Sequence, residues 1–155
     1  MNKFSIVFFI VLTSFVSFGQ VNKEYYKIIS EAADFYLLGK EIPDNVLLDL
    51  VPYTNSDFST YYETTGPEHE LYETAFFYDT CEMIFNKAID EKDDKFYLPC
   101  LQLISFADGE YAENFTEALE QLIAVDKEKF CKSVKGKKYL KYNPIKWYYS
   151  NLNCN

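Results

Sequence analysis

The sequence predicts an all-α protein: a single compact domain of about five to seven helices built from antiparallel helical hairpins. Apolar residues recur at intervals of three and four along almost all of residues 20–155, and no alternating strand pattern competes with them. Hydrophobic residues make up 48% of the chain and aromatic residues 19%, which is enough to fill a packed core. Residues 20–155 have the length of one domain and not of two.

Residues 1–19 have the layout of a signal peptide. A lysine near the start precedes an apolar run over residues 4–16, and small residues follow at Ser17 and Gly19. The pattern predicts cleavage between Gly19 and Gln20, and therefore export to the periplasm or the extracellular space. An uncleaved membrane anchor is the alternative, but the apolar run is shorter than the roughly 18–20 residues that span a bilayer.

The first two helices are predicted from their apolar stripes and their stop signals. One extends from Lys23 to Leu38 and ends at Gly39, where a left-handed cap is natural. A shorter helix from Asp44 to Val51 stops before Pro52, because the residue that precedes a proline resists the α conformation. Residues 53–66, rich in Ser, Thr and Asn, are predicted to form a long connection with at most one helical turn.

The longest helix is predicted from Pro67 to Asp90. Thr65 stands three residues before Glu68, as in a capping box, and apolar residues follow at steps of three or four. Because apolar residues also occupy its other faces, we expect this helix to be the central and most buried one.

The middle of the chain continues the helical pattern in two further segments. A charged turn over residues 91–94 leads to a helix from Phe96 to Phe106, with Pro99 either in its first turn or before its regular part. Residues 111–122 are the cleanest amphipathic segment of the chain.

The C-terminal part is predicted to hold two short helices and a loop. Asp126 can cap a helix that continues to Val134, and residues 135–142 then form a basic loop. Pro144 can start the last helix, since proline is favoured in a first helical turn.

The charge of the chain, −9 at neutral pH, is distributed unevenly. Residues 20–125 carry 22 acidic residues and 6 lysines, whereas residues 126–155 carry 8 lysines and 2 acidic residues. The domain therefore has an acidic body and a basic, aromatic C-terminal segment. This disfavours nucleic acid as a partner, because affinity for nucleic acid depends on basic residues that neutralise phosphates. All 15 basic residues are lysines, so the chain offers no bidentate guanidinium contact.

Four cysteines follow the predicted signal peptide: Cys81, Cys100, Cys131 and Cys154. An even count in an oxidising compartment favours two disulfides, and no two cysteines have the spacing of a zinc or redox motif. Among the three possible pairings, hairpin symmetry favours Cys81 with Cys100 and Cys131 with Cys154, because the midpoint of each pair falls at a predicted turn. Free buried thiols and a functional thiol are the alternatives.

Candidate catalytic and metal-binding residues are few. The single histidine, His69, shares a face of the predicted long helix with Glu73, but a zinc site normally needs three protein ligands. The carboxylates of residues 90–94 lack the glycine and the distal glutamate of a calcium-binding EF-hand loop. No nucleophile, phosphate-binding or dinucleotide motif is present, so we expect no cofactor and favour a protein that is not an enzyme.

Lysines and aromatic residues alternate over residues 135–149, and this segment is the candidate binding patch. Charge would steer an anionic partner to it while flat rings give contact area. In the alternative interpretation, the aromatic residues cap the helical core and the lysines face water or the acidic body. The residues of the candidate patch are Lys137, Lys138, Tyr139, Lys141, Tyr142, Lys146, Trp147 and Tyr149.

Three functions remain open. The leading hypothesis is an exported, non-catalytic module that binds a protein or peptide through a groove between helices or through the C-terminal segment, with another protein or an envelope glycan as its partner. The second is an envelope enzyme, such as a glycan hydrolase that uses two carboxylates. The third is a small-ligand carrier with an aromatic-lined cavity. An enzyme would need a deep pocket with convergent acids, whereas a binding module would expose an aromatic or apolar surface.

Overall fold

A computed structural model describes residues 23–140 and 142–154, except for the side chains of Glu110 and Tyr139. The predicted signal peptide lies outside the described residues. The described residues form eight α-helices and no β-strand, so the predicted all-α class is confirmed with more helices than expected. The helices are α1 (Lys23–Leu37), α2 (Asp44–Leu50), α3 (Asn55–Glu63), α4 (Phe76–Ile89), α5 (Asp94–Ile104), α6 (Ala112–Val125), α7 (Lys127–Val134) and α8 (Ile145–Asn151).

Helix α4 lies at the centre of the fold. It packs against α5, α6 and α2, while α1 packs against α2 and α3, and α7 packs against α6. More than half of its side chains are buried, because apolar residues occupy several of its faces. The expectation of a central, most buried helix in this region therefore holds for α4. No helix among the described residues combines the length and the hydropathy that crossing a membrane requires.

The predicted start of the long helix at Pro67 is wrong, because α4 begins only at Phe76. Residues before it form turns, and Glu73 has a left-handed φ of 70°, which an α-helix does not accommodate. The Thr65 hydroxyl does not cap a following helix. It donates backwards to the carbonyl oxygen of Tyr62, at 3.1 Å, and so closes the end of α3.

Helix α3 replaces most of the connection that was predicted over residues 53–66. Its start is a complete capping box: the Thr54 hydroxyl oxygen accepts from the Asp57 backbone N–H at 3.1 Å, and the Asp57 carboxylate accepts from the Thr54 N–H at 3.2 Å. Phe58 and Tyr61, three residues apart, then face the core and are buried. Aspartate stands where a capping box usually has glutamate or glutamine, so the start signal in the sequence is weak.

We expect Thr54→Ala to destabilise the protein by about 1–2 kcal/mol, because it leaves the Asp57 N–H in the first turn of α3 without its acceptor. Ser59→Ala is the matched control, since Ser59 is an exposed residue within the same helix. Urea unfolding of both variants measures the difference. Equal stability of the two variants would show that the capping box is not used.

Helix α5 contains Pro99 in its interior and not in its first turn. The helix begins at Asp94, because the Asp93 carboxylate accepts from the Lys95 N–H at 2.9 Å and caps it. Proline removes one hydrogen bond of the helix. The buried side chains around it, Phe96 and Leu101 among them, supply the packing that keeps the helix continuous.

Helix α5 is shifted two residues toward the N-terminus of its predicted range, and α6 continues three residues past the predicted segment; the remaining helix ends lie within a residue of the prediction. Gly39 has a φ of +63° just after α1, and α2 stops before Pro52. The Asp126 carboxylate accepts from the Lys129 N–H at 2.8 Å and caps α7, which ends at Val134 as predicted. Helix α8 begins directly after Pro144.

One of the two predicted disulfides is present. Cys131 in α7 is joined to Cys154 after α8, with 5.1 Å between their Cα atoms. Cys81 and Cys100 are free thiols in the structure and both are buried, so the predicted pairing of these two cysteines is not seen there. The Cys81 sulfur instead has a hydrogen bond with the Tyr61 side chain, and burial raises the pKa of both thiols.

Candidate functional site

A groove of about 340 Å³ lies between α4 and α6. Its two walls follow from helical spacing, because residues three and four apart on each helix present one face to the space between them. Helix α4 contributes Tyr78, Cys81, Glu82, Phe85, Asn86 and Ile89. Helix α6 contributes Asn114, Phe115, Glu117, Ala118 and Gln121.

The floor of the groove is aromatic and continuous with the core. Phe85 and Phe115 are buried and meet edge to face, with 5.2 Å between ring centroids. Phe115 in turn packs on Phe77, with 6.5 Å between centroids, and on Tyr111. Because these rings are fixed by their neighbours, the floor is a preformed apolar surface.

The rim of the groove is polar and acidic. Glu82 and Asn86 on α4 are exposed, and so are Asn114 and Glu117 on α6. The amide nitrogen of Gln121 donates to the Glu117 carboxylate at 3.4 Å and orients it. The described residues that line the groove include two carboxylates and no lysine. Such a rim can accept hydrogen bonds from cationic groups and, through its amides, exchange hydrogen bonds with a peptide backbone.

Cys81 lines the groove, but its thiol is almost inaccessible to solvent. The thiol is almost fully buried and belongs to a polar cluster in which Tyr61 and Thr80 also hydrogen-bond to each other. Since burial raises the pKa of Cys81, the sulfur stays a protonated thiol at neutral pH. The cluster therefore supports the groove wall and offers no nucleophile.

The single histidine and the carboxylates of residues 90–94 do not form a metal site among the described residues. His69 and Glu73 are exposed on the turns before α4 and do not share a helical face. Asp93 caps α5, Asp94 pairs with Lys129, and Glu91 pairs with Lys87 at 3.1 Å. Across residues 23–140 and 142–154, no group of three or more His, Cys, Asp or Glu side chains is arranged to hold a metal ion.

The candidate binding patch is anchored to the core at two points. Leu140 and Ile145 are fully buried, and the Cys131–Cys154 disulfide holds the end of the segment. The Tyr148 hydroxyl donates to the Glu120 carboxylate on α6, and this hydrogen bond raises the pKa of Tyr148 to about 12. The basic segment is thus fixed against the acidic body by buried apolar groups and by one tyrosine.

The patch residues do not share one environment. Lys137, Lys138 and Lys146 are exposed, and no ion pair between described residues involves them. Trp147 is 58% exposed and Tyr142 is 63% exposed.

The remaining members of the patch divide between the core and the parts of the chain that are not described. Tyr149 is half-buried and packs against the core, as the alternative interpretation expects. Lys141 and the side chain of Tyr139 lie outside the described residues.

The groove between α4 and α6 was not predicted from the sequence. The sequence feature that could have indicated the groove is the set of polar residues beside the apolar stripes of two amphipathic helices. Which border faces another helix depends on packing, and the helical periodicity of one segment does not contain that information. Comparison of the chain with protein-family models, with curated proteins and with solved structures finds no match.

Proposed function

We propose that the protein is an exported, non-catalytic module that binds a short basic segment of another protein in the groove between α4 and α6. The observation that carries the proposal is the combination of an aromatic floor with an acidic rim that lacks lysine. Residues 1–19 serve as the export signal in this proposal.

The groove suits a peptide that combines apolar and basic side chains. An apolar side chain gains free energy mainly by covering the ring of Tyr78, which is 39% exposed, because Phe85 and Phe115 in the floor are already buried. A lysine or arginine of the peptide then lies close to Glu82 and Glu117, where charge-assisted hydrogen bonds are short and strong. A volume of about 340 Å³ accommodates a few residues and not a folded partner.

The charge of the acidic body supports the same partner. Residues 20–125 have 22 acidic residues against 6 lysines, so the field around the body attracts cations before contact. Electrostatic attraction of this kind raises the association rate at low salt and weakens as salt is added.

Two features favour binding over the alternatives. Glu82 and Glu117 are both exposed to solvent, whereas a carboxyl that acts as a general acid is usually shielded in a pocket. The aromatic residues Phe58, Phe77 and Phe115 pack on one another, and this part of the core is filled by its own rings. A carrier would need the rings to surround an open cavity.

The test is panning of a random peptide library on the mature chain, followed by titration of the best peptide. We expect enriched peptides with basic and apolar residues. We expect the double substitution Glu82→Gln and Glu117→Gln to weaken their binding about tenfold, which is about 1.4 kcal/mol, because both charged acceptors are lost.

The matched control is Glu31→Gln with Glu113→Gln, which removes the same charge from exposed positions outside the groove. It should change the affinity less than twofold. Equal losses in the two double variants would assign the binding to net charge, and no loss in either would exclude the groove.

A further inference from the structure

A second cleft, of about 570 Å³, lies on another part of the surface. Three segments enclose it: residues 53–55 after α2, residues 102–108 at the end of α5, and residues 142–143 before α8. Its volume is within the roughly 300–1,000 Å³ of sites for small molecules. It shares no residue with the groove between α4 and α6.

Two exposed tyrosines belong to the cleft lining. Tyr53 is 80% exposed and Tyr142 is 63% exposed, so most of both side chains is open to solvent. Each lies beside anchored residues: Thr54 belongs to the capping box of α3, and the fully buried Leu140 and Ile145 flank Tyr142. Residues close to both tyrosines in the sequence are therefore anchored to the rest of the fold.

The polar groups of the cleft are mostly amides. Asn55, Gln102 and Asn143 contribute side-chain amides, and none of the three has a side-chain hydrogen bond to another described residue. Each amide has one acceptor and two donors, which matches hydroxyl groups that both donate and accept. The hydroxyl of Ser105, by contrast, already donates to the backbone carbonyl oxygen of Gln102 at 2.6 Å.

The cleft carries little charge. Asp108 is the one ionisable acid among the described lining residues, and one of its oxygens accepts from the Gly109 N–H at 2.8 Å. The described residues that line the cleft include no lysine. An anionic ligand therefore gains no cationic partner among the described lining residues, and the one carboxylate already accepts a hydrogen bond.

We propose that this cleft binds a neutral oligosaccharide, with Tyr53 and Tyr142 stacking on sugar rings and the three amides hydrogen-bonding to hydroxyl groups. The face of an aromatic ring is negative and attracts the polarised C–H groups on the apolar face of a pyranose. Phe106, stacked on Phe58 at 5.1 Å, gives the cleft an apolar base. The site is separate from the proposed peptide groove and does not depend on it.

The test is titration of the mature chain with four neutral tetrasaccharides: chitotetraose, cellotetraose, maltotetraose and mannotetraose. We expect at least one to bind, with an affinity that changes less than twofold between low and high salt. Tyr53→Ala and Tyr142→Ala should each weaken binding at least tenfold. Tyr142→Phe should keep it, because the ring and not the hydroxyl makes the contact.

Tyr72→Ala is the matched control, since Tyr72 is a half-exposed tyrosine that does not line the cleft. It should leave binding unchanged, and thermal melting of all variants checks that they are folded. Failure of all four sugars to bind at millimolar concentration would overturn the proposal. So would binding that survives both alanine substitutions, or a loss of selected-peptide binding in Tyr53→Ala, which would place a peptide in this cleft instead.

Discussion

Phe77→Ala is expected to destabilise the protein by about 3–5 kcal/mol. Phe77 in α4 is fully buried at the centre of an aromatic cluster. Truncation removes the transfer free energy of the ring and leaves a cavity that rigid neighbours fill poorly. Its ring contacts are with Phe58, Tyr61, Tyr62, Tyr78, Tyr111 and Phe115, at centroid distances of 4.9 to 6.5 Å.

Thermal and urea unfolding measure the effect, and a loss of this size lowers Tm by roughly 10–20 °C. Phe77→Leu keeps the assay informative if the alanine variant does not fold, and we expect it to cost less. Tyr72→Ala, at a half-exposed position, should cost under about 1 kcal/mol. A similar loss for Phe77→Ala and Tyr72→Ala would contradict the position of Phe77 in the core.

Removal of the Cys131–Cys154 disulfide is expected to cost about 3.5 kcal/mol. The two cysteines are 23 residues apart in the sequence. In the chain-entropy model, the bridge stabilises the protein because it restricts the conformations of the unfolded chain. The sequence between the two cysteines contains α8 and the whole candidate binding patch. Urea unfolding of the oxidised protein and of Cys131→Ser gives the difference.

The controls for the disulfide compare the two single cysteine variants with the double variant. Cys131→Ser, Cys154→Ser and the double variant should lose nearly the same stability, because any of the three breaks the same bond. A reducing agent should destabilise the wild-type protein by a similar amount and leave the double variant unchanged. Losses that add up in the double variant would indicate two independent thiols and contradict the bridge.

Signals that depend on a few neighbouring residues were predicted well. Gly39 has the left-handed backbone that its position after an apolar stripe suggested, and Asp126 caps α7. Hairpin symmetry gave the pairing of Cys131 with Cys154, although the same argument fails for Cys81 and Cys100, which are free thiols in the structure. In each case the physical constraint lies within a short segment or a single hairpin.

Features that depend on packing between distant segments were predicted poorly. Residues 67–75 have the apolar spacing of a helix but form turns, and Leu71 is buried although it lies in one of these turns. Apolar spacing therefore indicates which residues are buried without requiring a helix. Tyr53 and Tyr142 lie far apart in the sequence, and only the packing of residues 102–108 brings them to one cleft. The groove between α4 and α6 has the same origin, because two helix faces define it jointly.

The central claim is that the groove between α4 and α6 holds a basic peptide. Hydrogen–deuterium exchange of residues 20–155 with and without a selected peptide tests it directly, because exchange of backbone amides slows where the peptide restricts local opening. We predict slower exchange confined to residues 78–89 and 114–121, and clearly weaker protection at the same peptide concentration when Glu82→Gln and Glu117→Gln are combined. Slower exchange confined to residues 142–154, with the groove unaffected, would contradict the claim.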